Sequence, residues 1–387
     1  MVWAAIGMDR RLANRPGAVT CVPFMRKIIP AILTLLLATT LFAAWTFSRF
    51  ERLEGRAWMA IPLLLVASFF PATMLSHRIH ARWLSALNVA SGISVGFLSY
   101  FVLAAALCWV VLGASRLAGM GIDGRAVAAW AFGAASLVGL FALGSAYWVR
   151  VTRITVRLRH LPRFWNGRSL ALVSDIHLGN FRGAAFSRQV IARLSSLAPE
   201  MILVGGDMFD GVRLDLKTAV APWSALSAPS GVYFVGGNHD DYGGRNAYFQ
   251  ALRGVGMRVL DNEKVEVHGL QLVGVHDRET HSPEVFGTLL AKAGLDTARA
   301  SILLAHRPEN LAVPEAAGIS LQLSGHTHRG QFWPWTLIAR RVHRDFAYGL
   351  NRFGGMAVFT SSGAGTWGPP FRLGTRSEVV LIRLEEG

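Results

Sequence analysis

Seven side chains of the types that bind metal ions occur in five short clusters between residues 175 and 328. Each cluster follows a short apolar run, and in three of them glycine directly precedes the ligand. The clusters offer carboxylate, imidazole and amide groups, which suit divalent ions such as Zn, Fe and Mn, and they contain no thiolate. The seven residues are Asp175, His177, Asp207, Asn238, His306, His326 and His328. These types predict a metal centre assembled from distant parts of the chain.

The spacing of the first cluster predicts the start of one ion site. Asp175 and His177 are two positions apart, so an extended backbone would point both side chains the same way. Together with His328 they could hold one ion.

The remaining ligands suggest a second ion beside the first. Asn238, His306 and His326 could hold it, and Asp207 is the natural bridge because a carboxylate has two oxygens. Two cations about 4 Å apart can generate hydroxide at neutral pH and clamp a phosphoryl oxygen.

Alternating strands and helices are predicted to carry these clusters. The predicted strands are 170–174, 201–205, 232–235, 270–275, 302–305, 321–324, 356–360 and 379–384. The predicted helices are 184–197, 216–225, 247–253 and 284–293. Buried strands that alternate with helices indicate a layered α/β domain. Ligand sites in such sheets gather at the carboxyl ends of the strands, so we expect the five clusters to meet.

Four long apolar runs occupy the first 150 residues, at 28–47, 58–75, 89–112 and 126–149. Each approaches the roughly 20 residues that a helix needs to cross a bilayer, and none has a charged residue in its interior. The whole chain is 52% hydrophobic and only 16% charged, whereas soluble domains carry roughly 25% charged residues. The runs predict four transmembrane helices, since helices of a soluble bundle would show a polar face.

The positive charge of the chain, +15 in total, predicts an orientation. Thirteen Arg and Lys residues fall in the N-terminal tail, the second loop and the segment after the fourth run, against five in the other two loops. This bias predicts that both ends lie in the cytoplasm. Alternatively, Met25-Arg26-Lys27 and the run after it could be a second start or a signal peptide, whose removal would leave three spans and an external C-terminal domain. A basic chain can also bind nucleic acid, anionic lipid or a phosphorylated substrate.

Two further patterns in the sequence do not predict a functional site or a disulfide. Gly92, Ser94 and Gly96 match the nucleophile elbow of serine hydrolases, but that motif needs a strand–turn–helix context. Here they lie in a predicted membrane helix, where small residues allow close packing. Cys21 and Cys108 lie far apart, so a disulfide framework is not expected.

As a set, the five clusters resemble the signature of the calcineurin-like metallophosphoesterases. That signature reads Asp-x-His, Gly-Asp-x-x-Asp, Gly-Asn-His-Asp/Glu, a later His, and Gly-His-x-His, and all five blocks occur here in order. The resemblance covers residues 168–385. The Gly/Pro-rich segment 363–372 is similar to the C-terminal signature of the membrane-anchored branch, the transmembrane proteins with a metallophosphoesterase domain.

The resemblance implies a fold, a cofactor and a mechanism. The fold would be α/β, a four-layer α/β/β/α metallophosphoesterase sandwich, here preceded by an all-α four-helix transmembrane region. The seven residues would hold two divalent metal ions, Mn, Fe or Zn. The attacking group would be a hydroxide that bridges the two ions.

It also implies roles for residues beside the ligands. His239 would protonate the leaving oxygen or stabilise the phosphoryl group, and Asp210 would orient His239. Asn238, Arg307 and Arg372 are further predicted to bind the substrate phosphate. Asp210 could instead cap the helix that follows, and the segment containing Arg372 could be a loop that closes the wall of the site. Arg307 could instead be a surface residue, and His239 could be structural.

We therefore expect a cytoplasmic tail over residues 1–27, four transmembrane helices over 28–149, a basic linker over 150–167 and a metallophosphoesterase domain over 168–387. The expected function is hydrolysis of phosphomonoesters or phosphodiesters at a bacterial inner membrane, with the catalytic domain in the cytoplasm. Because a four-helix anchor concentrates the site at a bilayer, a lipid-linked or other amphipathic phosphate is the expected substrate. A nuclease of the same fold and an inactive membrane scaffold or sensor are the alternatives. Nucleic acid is disfavoured, since the blocks leave little room for a capping domain.

Overall fold

The computed structural model describes residues 21–51 and 57–387, with side chains from Ile29 onward. The predicted tail over residues 1–27 therefore falls largely outside the described residues, as do Arg52 and Arg56 of the first loop. The chain forms two compact units. The first ends at Gly144 and also includes Gly368–Phe371, and the second comprises Ser145–Trp367 and Arg372–Gly387.

The described part of the first unit is built from four apolar helices. They are α1 Cys21–Glu51, α2 Ala60–Ser76, α3 Arg82–Leu117 and α4 Gly124–Ser145. Each contains a stretch long and apolar enough to cross a membrane, with a mean hydropathy between 1.8 and 2.3. This confirms the prediction of four apolar helices. The last one ends four residues earlier than predicted, because Val149 is buried in the core of the second unit and β1 begins at Arg150.

Small residues and a few polar pairs hold these helices together. Ala43, Ala105 and Ala128 come from α1, α3 and α4 and are buried in one cluster, as expected where lipid-embedded helices approach closely. The Trp109 indole N–H donates to Thr46 Oγ1 at 3.0 Å, which joins α3 to α1. The Gly92–Gly96 pattern lies inside α3, so the strand–turn–helix context of a nucleophile elbow is absent there.

The second unit contains two six-stranded sheets. The first has the order β1-β12-β2-β3-β4-β5, with β1 Arg150–Leu158, β2 Ser169–Val173, β3 Met201–Val204, β4 Val232–Phe234, β5 Arg258–Val259 and β12 Glu378–Glu386. The second has the order β10-β11-β9-β8-β7-β6, with β6 Glu263–Val267, β7 Leu270–Val275, β8 Ser301–Ala305, β9 Leu321–Ser324, β10 Gly349–Phe353 and β11 Met356–Thr360. Both sheets mix parallel and antiparallel pairs.

Helices lie against the outer faces of both sheets. The helices of this unit are α5 Ala184–Ser196, α6 Leu216–Val220, α7 Arg245–Gly254, α8 Asp277–Thr280, α9 Pro283–Ala293, α10 Ala312–Ala316 and α11 Trp335–His343. Phe186 of α5 and Leu252 of α7 share a core with Val173 of β2. Phe286 of α9 shares another with Leu303 of β8. Together with the core between the sheets, these contacts confirm the four-layer α/β/β/α fold.

The pattern along β2 shows why the strands were recognisable in the sequence. Leu170 and Leu172 face the core between the two sheets, whereas Ala171 and Val173 face the helices. Because both faces are buried, the strand is a continuous apolar run.

The segment predicted as a basic linker, residues 150–167, instead contributes to the domain. Its residues 150–158 form β1, which pairs in parallel with β12. Val156 and Leu158 are buried in the core between the sheets, while Arg157 is exposed on the other side. The arginines of this strand, at positions 150, 153 and 157, directly follow the fourth apolar run, so in the sequence they are typical of the positive flank of a membrane helix. Trp165 is also fully buried and donates its indole N–H to Val267 O at 2.9 Å.

Candidate metal centre

The predicted ligand clusters all follow the carboxyl ends of parallel strands. Asp175, Asp207 and Asn238 come after β2, β3 and β4, which are neighbours in the first sheet. His306 and His326 come after β8 and β9, which are neighbours in the second. Since parallel strands end at the same edge of a sheet, each sheet brings its own ligands together.

Asp175, His177 and His328 form one buried group whose ligand atoms all lie within 4.8 Å of one another. His177 Nε2 and His328 Nε2 are 3.0 Å apart, and His328 Nε2 lies 3.5 Å from Asp175 Oδ1. Two imidazoles bound at a right angle to an ion, each at roughly 2.1 Å, would have nitrogens about 3 Å apart. The spacing of this group therefore fits a bound divalent cation.

Asp207, His306 and His326 form a second group with ligand atoms within 4.8 Å of one another. His306 Nε2 lies 3.1 Å from Asp207 Oδ2. The other ring nitrogen, His306 Nδ1, donates to Gly205 O at 2.8 Å. A carbonyl oxygen can only accept, so this bond fixes the tautomer and directs Nε2 at the group, as partners of metal-binding histidines do.

Asn238 presents its amide oxygen as a further ligand. The amide nitrogen donates to the Tyr242 hydroxyl at 3.3 Å. Within the described residues the Oδ1 atom is buried without a hydrogen-bond partner. Buried polar atoms are rarely unsatisfied in native proteins, and a cation is the kind of partner that would satisfy this oxygen.

Asp207 lies between the two groups. Its Oδ2 atom is 3.1 Å from His306 Nε2 and 3.8 Å from His177 Nε2. Its Oδ1 atom accepts the backbone N–H of His239 at 2.8 Å, which fixes the plane of the carboxylate. One carboxylate therefore faces ligands of both groups.

Five of the seven predicted ligands have a left-handed backbone. Their φ angles lie between 47° and 67°, at Asp175, His177, Asp207, His326 and His328. Non-glycine residues adopt this conformation at a cost of order 1–3 kcal/mol each, and such strain clusters at functional sites. The fold therefore holds these side chains in positions that local preference alone would not select.

The electrostatics of the groups favour a positive charge among the carboxylates. Burial opposes protonation of His306, yet the carboxylates of Asp207 and Asp175 raise its pKa to about 10. Burial lowers the pKa of His326 and of His328 well below the usual value, so both imidazoles are neutral. Neutral imidazoles and ionised carboxylates are the forms that bind metal ions. His306 is protonated at neutral pH and would release its proton to a bound ion, so the donor set fits divalent cations.

Comparison with known proteins agrees with this geometry. A model of the calcineurin-like phosphoesterase family matches residues 168–330. An uncharacterized metallophosphoesterase of Aquifex aeolicus is 30% identical over 258 residues, which cover 65% of this chain and 97% of that protein. The chain belongs to the calcineurin-like metallophosphoesterase family. The resemblance predicted from the motifs is confirmed.

Other relatives of this metallophosphoesterase match over a smaller share of their own length. The transmembrane protein with metallophosphoesterase domain of Bos taurus is 34% identical over 268 residues, 65% of this chain and 60% of that protein. An uncharacterized metallophosphoesterase of Helicobacter pylori is 32% identical over 222 residues, 56% of this chain and 59% of that protein. The chain thus spans about six-tenths of the length of these two relatives.

In the metallophosphoesterase domain, Asp210 lies between two histidines. Its Oδ1 atom is 3.3 Å from His177 Nδ1 and 3.7 Å from His239 Nδ1. The sequence predicted only the second neighbour, but the closer one is a predicted metal ligand. The alternative role as a helix cap has no support, because the next α-helix begins after Asp215.

Aromatic rings surround His239. The rings of His177, Tyr242 and Trp367 lie 4.8, 4.9 and 5.9 Å from its own. Burial, together with nearby His177, lowers the pKa of His239 to about 4. The predicted catalytic role of His239 stays a prediction, and its position beside the ligand groups is compatible with it.

Asp240 is a supporting residue that the sequence reasoning missed. It is fully buried, and its carboxylate accepts the backbone N–H groups of Asp207, Phe209 and Gly237 at 2.9, 3.1 and 2.8 Å. It therefore ties the loop after β3 to the loop after β4. The final acid of the Gly-Asn-His-Asp block was the available signal. Burial, and then Asp207, raise the pKa of this carboxyl to about 7.

The two arginines predicted to bind substrate have different surroundings. Arg307 donates from Nε to Asp277 Oδ1 at 2.8 Å, and within the described residues its terminal nitrogens make no hydrogen bond. Arg372 is fully buried and donates to the carbonyl oxygens of Ser362, Gly365 and His328 at 2.6, 2.7 and 3.0 Å. This arrangement favours a positioning role for Arg372 rather than the predicted substrate contact.

Replacing Arg372 with lysine should separate these two roles. A single ammonium group cannot reproduce the planar fork that reaches three carbonyls, so we expect a loss of roughly 2–4 kcal/mol in the free energy of unfolding. The measurement is thermal unfolding of the purified chain, with the exposed Arg383→Lys as the matched control. An unchanged melting temperature combined with a raised KM would instead support direct substrate contact.

Proposed function

We propose that this metallophosphoesterase hydrolyses phosphate esters that carry a lipid or another apolar group, using two divalent cations. The position of Asp207 between the two ligand groups carries the proposal. One ion would be held by Asp175, His177, His328 and Asp207, and the other by Asn238, His306, His326 and Asp207.

In the proposed chemistry, the cations and the side chains have different roles. Bound divalent cations lower the pKa of water and polarise phosphate oxygens. Arg307, held by Asp277, would bind a phosphate oxygen with its terminal nitrogens. His239 would lie beside the leaving oxygen and donate a proton to it, or hydrogen-bond the phosphoryl group. Asp210 would orient both His239 and His177.

The amphipathic character of the substrate is proposed from the rest of the chain. The four apolar helices are long enough to hold the domain at a bilayer, and relatives are named as transmembrane proteins. The excess of Arg and Lys on one side of the helices supports a catalytic domain in the cytoplasm. Strong activity of a periplasmic phosphatase fused to the C-terminus would contradict this orientation.

The hydrolytic function is tested by metal-dependent turnover of bis-p-nitrophenyl phosphate by the full-length chain. We expect chelation to abolish turnover and added Mn²⁺ to restore it, because the ligand groups without cations cannot activate water. The variant Asn238→Ala is compared with the wild-type chain and should be less active than it at limiting Mn²⁺. A chain that remains inactive when loaded with Mn²⁺, Fe²⁺ or Zn²⁺ would contradict the proposal and favour an inactive scaffold.

The substrate class needs a separate experiment. Lipids and nucleotide-linked lipids can be profiled in a deletion strain complemented with the wild-type chain or with Asn238→Ala. Accumulation of an amphipathic phosphate with the variant is expected. Degradation of DNA or RNA by the purified protein, with an unchanged lipid profile, would favour a nuclease.

A further inference from the structure

A short helix beyond the Gly-His-x-His block exposes most of its large apolar side chains. Within the described residues, α11 has no buried residue. Five large apolar side chains at and just before this helix are between 45% and 67% exposed: Trp333, Trp335, Leu337, Ile338 and Val342. Soluble proteins seldom expose such a patch, and one that they do expose marks an interaction site.

The apolar and basic residues of this segment are ordered as on an interfacial helix. Trp335, Ile338 and Val342 recur at positions i, i+3 and i+7, which places them on one face of α11. Arg340, Arg341 and the following Arg344 add three positive charges, and residues 333–344 contain no acid. An apolar face with tryptophan, flanked by arginine, is typical of helices that lie in the headgroup region of a bilayer.

The same helix is held next to the metal ligands. The ring of His343, in the last turn of α11, lies 6.3 Å from the ring of His326. The backbone of Thr336 packs against Gly330, where an added Cβ would lie 2.6 Å from Thr336 Cα. The helix is therefore anchored to the loop that carries His326 and His328, while its apolar face points away from the domain.

We propose that α11, together with Trp333, inserts into the headgroup region of an anionic lipid bilayer. The arginines complement negatively charged headgroups, and tryptophan favours the membrane interface. A second copy of the chain fits less well, because a two-fold contact would bring the same arginines together in a chain of net charge +15.

Insertion of α11 into a bilayer would affect which substrates reach the metal centre. If the proposed function holds, a helix at the interface beside His326 lets the site take the phosphate of a lipid whose chains stay in the bilayer. That consequence rests on the proposed function, whereas binding of the helix to lipid does not.

The test is the accessibility of a spin label at position 338 of the full-length chain in nanodiscs. Cys21 is replaced by serine, Cys108 is buried, and a nitroxide is attached to Ile338→Cys. The matched control is Val285→Cys, on α9, which is 45% exposed. With phosphatidylglycerol in the disc, we expect collisions with oxygen, which partitions into lipid, to exceed those with a water-soluble nickel complex at 338. The order should be reversed at 285.

Several results would overturn the proposal. Collisions at 338 that follow the aqueous pattern of 285 would show a helix in water, and protection from both reagents would show a face covered by protein. Equal immersion in discs of phosphatidylcholine alone, unaffected by Arg340→Gln with Arg341→Gln, would remove the anionic part of the proposal. Ile338→Cys should keep its turnover of bis-p-nitrophenyl phosphate, so a failure of the hydrolytic function is recognised separately.

Discussion

Replacement of Asp207 by asparagine should lower kcat/KM for bis-p-nitrophenyl phosphate by at least about a thousandfold if two cations activate water as proposed, because that activation depends on a bridging anion. The Oδ2 atom of Asp207 faces His306 Nε2 at 3.1 Å and His177 Nε2 at 3.8 Å. Aspartate has two carboxylate oxygens, whereas asparagine has one amide oxygen and one NH₂ group. The NH₂ group is a donor and would face a cation. The loss should therefore persist at saturating Mn²⁺.

The metal content of the same variant gives a second readout. We expect fewer bound Mn²⁺ ions per chain than in the wild type, measured by elemental analysis after gel filtration. Asp215→Asn is the matched control, since Asp215 is exposed and its carboxylate accepts the hydroxyl of nearby Thr218. Full activity of Asp207→Asn with normal metal content would contradict the proposal that this carboxylate bridges two cations.

Replacement of Gly237 by alanine should reduce activity by roughly a hundredfold, since displacing a catalytic group by about 1 Å has effects of that size. A Cβ at this position would overlap Asp207 Oδ1 and lie 2.5 Å from the backbone nitrogen of Asp207. The carboxylate would have to move out of the place where it faces both ligand groups. The measurements are kcat/KM and the Mn²⁺ concentration that gives half-maximal activity.

Gly254→Ala supplies the control for this substitution. Gly254 ends α7, and nothing lies within 4 Å of an added Cβ there. Alanine should leave activity unchanged and could raise stability by roughly 0.5–1 kcal/mol. If Gly237→Ala bound Mn²⁺ as tightly as Gly254→Ala and turned over at the same rate, the close packing of the two loops would be irrelevant to the chemistry.

Much of the fold could be predicted from the sequence because buried elements leave a strong pattern. The four apolar helices and the central strands are continuous apolar runs, as Leu170–Val173 shows. Elements with mixed patterns were missed. In β1 only Val156 and Leu158 are buried, with Arg157 between them, and α11 has no buried residue at all, so neither resembled the core.

The family and the types of the candidate ligands could be predicted from the sequence alone, because His, Asp and Asn at fixed spacings within glycine-containing blocks are a chemical requirement that local sequence records. It could not determine which atoms face each other. That Asp207 lies between both groups, that Asp210 is closer to His177 than to His239, and that Arg372 binds backbone carbonyls follow from loops brought together by the strand order. Those distances depend on residues far apart in the chain, so they are defined by the folded domain and not by local sequence.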